Sequence, residues 1–185
     1  MSGVTRCGAR CVARCVARYS TLASLLLLVL GTACAPGDLR PPGVGDAAPH
    51  FEAISFKDNS TVSLADYTGE VVLVNLWATW CGPCRFETPY LQEIYEENQE
   101  AGLRLVGISV DSEGSLDAVE YFLEENGVTY DILLDPDMVS TDVFAAIGLP
   151  ATFLIDQEGI IRFKKLGPIL EGDPDFLEAL EHALD

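Results

Sequence analysis

The sequence predicts an α/β domain with a mixed central β-sheet flanked by helices, and three observations carry that prediction. Val71-Val72-Leu73-Val74-Asn75-Leu76-Trp77 is a continuous β-prone run, as expected of a strand buried on both faces. Downstream of it, β-prone runs alternate with amphipathic helical stretches, an order that sets strands side by side with helices laid across them. The last two strand-like runs flank a short turn, so the sheet ends in a hairpin and is mixed rather than wholly parallel.

Taken in order, residues 51–56 and 61–64 flank the turn-rich Lys57-Asp58-Asn59-Ser60 and form an N-terminal β-hairpin. After the central run a helix is expected over 81–101. Phe86, Tyr90, Leu91, Ile94 and Tyr95 lie there at helical spacing, and Pro89 should kink it. Residues 103–110 read as the next buried strand, 116–125 as an amphipathic helix and 129–134 as another strand. A helix over 138–147 is closed by Gly148. Runs 152–155 and 160–165 flank the turn Asp156-Gln157-Glu158-Gly159, and 174–183 form the last helix.

The chain has 185 residues, nearly half of them apolar, enough for one globular domain and an extension. Arg6, Arg10, Arg14 and Arg18 precede the first acid, and all 29 acidic residues lie beyond position 34. Without that leader the body keeps 7 basic residues against the 29 acids, a formal charge of −22. Such a surface repels phosphate backbones, which disfavours nucleic acid as a partner.

Residues 20–33 are apolar apart from small hydroxyl side chains and follow the basic stretch directly. A basic segment and then an apolar run of about 14 residues is the pattern of a signal peptide, too short to span a bilayer comfortably. The run ends in Leu30-Gly31-Thr32-Ala33-Cys34, which resembles a bacterial lipoprotein cleavage site with Cys34 as the lipidated residue, although Leu30 stands one place early. The expected organisation is a signal peptide at 1–33, a Gly/Pro-rich flexible linker at 34–43 and a folded domain at 44–185, anchored to the membrane outside the cytoplasm. An uncleaved apolar anchor, or ordinary cleavage after Ala35, are the alternatives. Cys7, Cys11 and Cys15 fall in the leader and leave with it.

Trp80-Cys81-Gly82-Pro83-Cys84 follows the central strand and opens a helix. There Cys81 meets the positive end of the helix dipole and spare backbone N–H groups, which favour thiolate over thiol and make it the attacking nucleophile. Cys84, one turn further in, is placed to resolve the mixed disulfide. Gly82-Pro83 brings no charge or imidazole between the sulfurs, which points to electron donation. A structural disulfide and a zinc site are the competing readings. Zinc would need two ligands besides the cysteines, and the two imidazoles of the body, His50 and His182, lie near its opposite ends, so no metal and no cofactor beyond the Cys81–Cys84 pair is expected.

Trp77-Ala78-Thr79-Trp80-Cys81-Gly82-Pro83-Cys84 is very similar to thioredoxin, and residues 44–185 resemble the TlpA/ResA-like branch of envelope thioredoxins. Gly45-Asp46-Ala47-Ala48-Pro49-His50-Phe51 matches the opening segment of that branch, and the helix and strand between 116 and 134 match its insertion. Gly148-Leu149-Pro150-Ala151-Thr152-Phe153-Leu154-Ile155-Asp156 matches the segment that holds the family's cis-proline. The resemblance implies a thioredoxin fold with an N-terminal β-hairpin and a central helix-strand insertion. It also implies a substrate-binding surface of Trp80, Leu149 and Pro150, where the Leu149 backbone pairs with an extended substrate segment. Leu149 departs from the smaller or β-branched residue often found there.

Glu87 lies three residues past Cys84 on the same helical face, and the family places an acid at this position. A carboxylate there can take the Cys84 proton. Where cytosolic thioredoxins carry a buried aspartate on the central strand this chain has Asn75, which shifts that role to Glu87. The implied activity is reduction of disulfides in exported proteins, such as apocytochrome c or copper-site proteins. The implied electron donor is a membrane thiol-transfer protein, and the expected state is a monomer. The alternatives are a peroxide reductase, for which Ala78 stands where a threonine is needed, and a non-catalytic envelope binding module or metallochaperone.

Overall fold

The computed structural model describes residues 40–185, so the leader 1–33, Cys34 and the linker as far as residue 39 lie outside the described residues. From residue 41 onward the chain builds a seven-stranded sheet in the order β2-β1-β5-β4-β3-β6-β7. The strands are β1 (Glu52–Ser55), β2 (Thr61–Ser63), β3 (Val71–Trp77), β4 (Leu103–Ser109), β5 (Asp131–Leu134), β6 (Ala151–Ile155) and β7 (Ile161–Leu166). Among the described residues four α-helices accompany them: α1 (Gly82–Asn98), α2 (Leu116–Glu125), α3 (Val139–Val143) and α4 (Pro174–Leu184). β3, β4 and β5 run parallel, while β6 and β7 and the β1–β2 hairpin are antiparallel additions at the two ends.

β3 is buried along its whole length, and its alternation explains why. Val71, Leu73 and Trp77 join Leu91 and Ile94 of α1, Phe122 of α2 and Phe176 of α4 in one core. Val72, Val74 and Leu76 point the other way, into a second core with Phe51, Phe144 and Phe153. A strand that feeds two cores can be apolar on every residue, and Asn75 is the exception on the α1 side.

β4 follows the same alternation apart from the half-exposed Arg104 and from Gly107, which sits on the α1 side between Asn75 of β3 and Ile132 of β5. A Cβ there would come within 2.9 Å of Ile132 Cδ1, 3.1 Å of Trp77 Nε1 and 3.1 Å of Tyr130 Cε2. The glycine makes room for Trp77 to stack on Phe122, with ring centroids 4.6 Å apart.

The insertion does more than lengthen the chain. β5 supplies the edge on which the hairpin docks, through Ile54 opposite Leu134. At the other edge the backbone before β1 covers β7, with Gly45 N–H donating to the Ile161 carbonyl and Ile161 N–H donating to that of Asp46.

Two expectations fail. The helix expected over 138–147 is only the five residues of α3. Met138 and Ala145 take φ of 58° and 48° on either side, and the β-branched Val139, Thr141 and Val143 are poor helix formers. The segment is held by Asp135, which accepts the Val139 and Ser140 N–H groups, and by Phe144 wedged into the second core, so Gly148 closes no helix. Phe86 is not a core residue either: it is 85% exposed. Cys84, Glu87, Thr88, Leu91 and Ile94 form the buried face of α1, whereas Pro83, Phe86 and Glu93 lie on the opposite one. α1 continues through Pro89 to Asn98.

Gly107→Ala is expected to destabilise the domain by about 1–3 kcal/mol, because overpacking outweighs the smaller gain from removing a glycine from a strand. A fall in the urea midpoint at unchanged m-value would show it, and an unchanged midpoint would contradict it.

Candidate active site

Four chain segments meet at one end of the sheet. β3 ends at Trp77, and β6 begins beside it because Leu76 pairs with Ala151. β7 ends there too, with Leu166 opposite Ala151, and β4 ends alongside, with Ser109 opposite Trp77. The loop 78–81, Asp111, the Leu149–Pro150 pair and the loop after β7 therefore share a neighbourhood.

Within it, Cys81 N–H donates to the Ala78 carbonyl at 3.1 Å, which turns the chain into α1. Cys81 is the N-cap residue, and its Sγ accepts the Cys84 N–H at 3.2 Å. Pro83 occupies the first turn, where a missing N–H costs nothing. Cys81 and Cys84 are joined by a disulfide, with Cα atoms 5.3 Å apart. Cys84 is 1% exposed and Cys81 5%, so the sulfur at the helix end is the more open of the two. Trp80 next to it is 67% exposed.

The approach to the cysteines is pinned by a residue without a sequence signature. Asp111 is buried and accepts three bonds: from Thr79 N–H at 2.9 Å, Thr79 Oγ1 at 2.7 Å and Ser109 Oγ at 2.9 Å. It thereby fixes the loop that presents Trp80 and Cys81. On the far side of α1, Arg85 bonds Glu125 at 3.1 Å and lies 5.3 Å over the Phe122 ring, tying the redox helix to the inserted α2.

Glu87 sits one turn beyond Cys84 and is only 2% exposed. Its Oε1 accepts from Ile169 N–H at 3.2 Å, Thr152 Oγ1 at 3.3 Å and Asn75 Nδ2 at 3.5 Å. Asn75 and Thr152 are opposed across β3 and β6, and Asn75 Nδ2 also donates to Thr152 Oγ1 at 2.9 Å. The other oxygen, Oε2, is buried with no hydrogen-bond partner among the described residues. Burial pushes the Glu87 carboxyl up to about 7, against the smaller opposing pull of the Ile169, Thr152 and Asn75 bonds and of the Lys165 charge. It is poised to hold or release a proton near neutral pH.

The Leu149–Pro150 peptide bond is cis, with Pro150 buried and Leu149 half-buried. The Pro150 carbonyl accepts the Gly167 N–H at 2.8 Å, which joins this segment to the loop after β7. The residues singled out in the sequence, Trp80, Cys81, Cys84, Glu87, Leu149 and Pro150, thus belong to one end of the sheet. His50 and His182 are exposed and lie apart from it, with His182 3.9 Å from Glu178. Sequence reasoning missed Asp111, Thr152 and the Ile169 N–H. Thr152 carried a signal, since it is a lone hydroxyl in an otherwise apolar strand, as Asn75 is a lone amide in β3.

The folded state binds the Glu87 proton more tightly than the unfolded chain does, where the ordinary value is 4.5. The stability this group contributes is therefore fully present below pH 4.5 and is lost as pH rises to about 7. Glu87→Gln should flatten that decline and exceed the wild type above pH 7 by on the order of a few kcal/mol. Urea unfolding of the oxidised proteins at pH 5 and pH 8 measures it, and equal pH slopes in the two proteins would refute it.

Comparison with known proteins gives a consistent picture. The AhpC/TSA family matches residues 44–164. Thiol-disulfide oxidoreductase ResA of Oceanobacillus iheyensis is 38% identical over 122 residues, covering 64% of this chain and 62% of that protein, less than two thirds of its length. Thiol:disulfide interchange protein DsbE of Allochromatium vinosum is 37% identical over 151 residues, covering 80% of each. The crystal structure of the thioredoxin domain of a thiol-disulfide oxidoreductase from Bacteroides vulgatus superposes with a TM-score of 0.67 at 30% identity, covering 77% of this chain and 99% of that one.

Proposed function

The chain belongs to the AhpC/TSA family, beside the ResA- and DsbE-type thiol-disulfide oxidoreductases, and on that premise we propose that it reduces disulfides of exported proteins through Cys81 and Cys84. The observation that carries this reading is the pairing of a cysteine cap with a buried carboxyl. Cys81 Sγ accepts a backbone N–H at the mouth of α1, and Glu87 lies one turn behind Cys84.

In the reduced protein, Cys81 thiolate attacks one sulfur of the substrate disulfide. A Cys81–substrate disulfide forms, and the other substrate sulfur leaves as a thiolate that takes a proton from water. Cys84 then gives its proton to the Glu87 carboxylate, at the unpartnered Oε2, and its thiolate attacks Cys81 Sγ. The second substrate thiolate leaves, two electrons have passed to the substrate, and the Cys81–Cys84 disulfide remains. Thiolate stabilisation by the helix end assists the first step and the raised carboxyl assists the second.

The setting we propose is the outer side of a membrane. The basic and apolar leader supports export, and Cys34 supplies a lipid tether joined to the domain by the 34–43 spacer. Among the described residues no helix is long and apolar enough to cross a membrane. Electrons return from a membrane thiol-transfer protein, and the substrates are disulfide-bearing polypeptides such as apocytochrome c or copper-site proteins.

Two experiments test the chemistry. Cys84→Ser should accumulate mixed disulfides through Cys81 when the protein is expressed in an oxidising compartment, visible as thiol-sensitive adducts. A binding module without turnover would give none. Glu87→Gln should slow disulfide reduction by about a hundredfold and remove the inflection near pH 7 from the rate profile. The same rate as wild type across that range would exclude Glu87 from proton transfer.

A further inference from the structure

On its outward side α1 faces the loop after β7 across a groove of about 480 Å³, walled by Pro83, Phe86, Tyr90 and Leu170, with Glu93 and Glu171 at the rim. Glu87 and Ile169 also line it, so the groove continues directly into the redox site. The loop is fastened in place: Ile169 N–H donates to Glu87 Oε1, and Lys165 pairs with Asp173. Gly167 and Gly172, with φ of 105° and 76°, allow the chain to turn at either end of it.

The groove carries two chemistries at once. Phe86 and Leu170 are 85% and 66% exposed, large apolar side chains left in water beside a reaction centre. The far end is negative. The Tyr90 hydroxyl is held above its ordinary value by burial first and then by Glu171, Glu97 and Asp173. An apolar channel ending in carboxylates complements a side chain with an aliphatic stem and a cationic head, and the exposed Phe86 ring adds a surface that such a head can approach. A wholly aliphatic residue would leave the acids unmatched, and an acidic one would be repelled.

We propose that this groove is a specificity subsite for a lysine or arginine of the substrate polypeptide, three or four residues along an extended segment from the cysteine that reacts with Cys81. The spacing follows from α1. Cys81 to Tyr90 is nine residues, about 13 Å along the helix, which an extended chain covers in about four residues. The proposal rests on the oxidoreductase reading and names the class of segment that the site selects.

The test uses the reduced full chain and ten-residue disulfide-bearing peptides with Lys, Leu or Glu placed three or four positions on either side of the reacting cysteine. The Lys peptide should exceed the Glu peptide in kcat/KM by about tenfold at one of these positions. The double variant Glu93→Gln, Glu171→Gln should reduce that ratio to about threefold or less. Removing the same charge elsewhere, with Glu120→Gln and Glu124→Gln on exposed positions of α2, should preserve it. A wild-type ratio near one overturns the subsite, as does a ratio that survives the first double variant or falls equally in the second. Failure of the wild type to reduce any peptide overturns the oxidoreductase reading, and the subsite with it.

Discussion

Glu87 Oε1 draws its three hydrogen bonds from three separate parts of the chain: Asn75 on β3, Thr152 on β6 and Ile169 beyond β7. Taking a carboxylate out of water costs far more than bonds of 3.2–3.5 Å return, and with Oε2 unpartnered the deficit is met by keeping the proton near neutral pH. That condition depends on the sheet. Asn75 faces α1 because β3 alternates between two cores, and Thr152 reaches the same carboxyl because β6 pairs with β3 in that register. A slip of one residue in either strand would replace the polar side chain with Val74, Leu76, Ala151 or Phe153.

The cysteine pair depends on the same strand in another way. A helix that begins directly after a strand buried on both faces has its first turn fixed at the end of the sheet, and Cys81 caps that turn with its own sulfur. Asp111, just beyond the end of β4, closes the arrangement by taking up the Thr79 N–H and hydroxyl. The redox turn is held from the strand behind it, from the neighbouring strand and from the helix it opens, which leaves Trp80, the edge of Cys81, Gly82 and Pro83 as its outward surface. Preorganisation of this kind leaves little reordering to be done when a substrate disulfide arrives.

Much of this was legible in the chain because its signals are local. An unbroken run from Val71 to Trp77, a CxxC spacing after it and a glutamate one turn on require only strand and helix periodicity to interpret. The errors arose where local pattern and tertiary environment disagree. Phe86 has the spacing of a core residue when counted with Tyr90, yet α1 packs through Cys84, Glu87, Leu91 and Ile94, so a buried acid and an exposed phenylalanine exchange their usual places. The segment from Met138 to Ile147 has helical spacing, but β-branched residues and the anchoring of Phe144 leave room for only one short helix. The contacts of Asp111, Thr152 and Ile169 could not be read from sequence, although Thr152 stands out as a lone hydroxyl in its strand. Their partners lie 32, 65 and 82 residues away, and a contact across such distances exists only once the strand order is known.

That inversion on α1 connects the chemistry to recognition. In the proposed mechanism the acid turned inward takes the proton of Cys84, and the aromatic turned outward walls the groove beside it. The two are joined through one peptide group, since the Ile169 N–H that bonds Glu87 precedes Leu170 and Glu171 on the groove's other wall. A carboxylate accepts a hydrogen bond more strongly than a neutral carboxyl does, so the grip on this loop is firmest when Glu87 is charged and ready to receive the Cys84 proton. Proton acceptance and the wall of the groove therefore belong to one hydrogen-bonded unit, held to the sheet through Asn75 and Thr152.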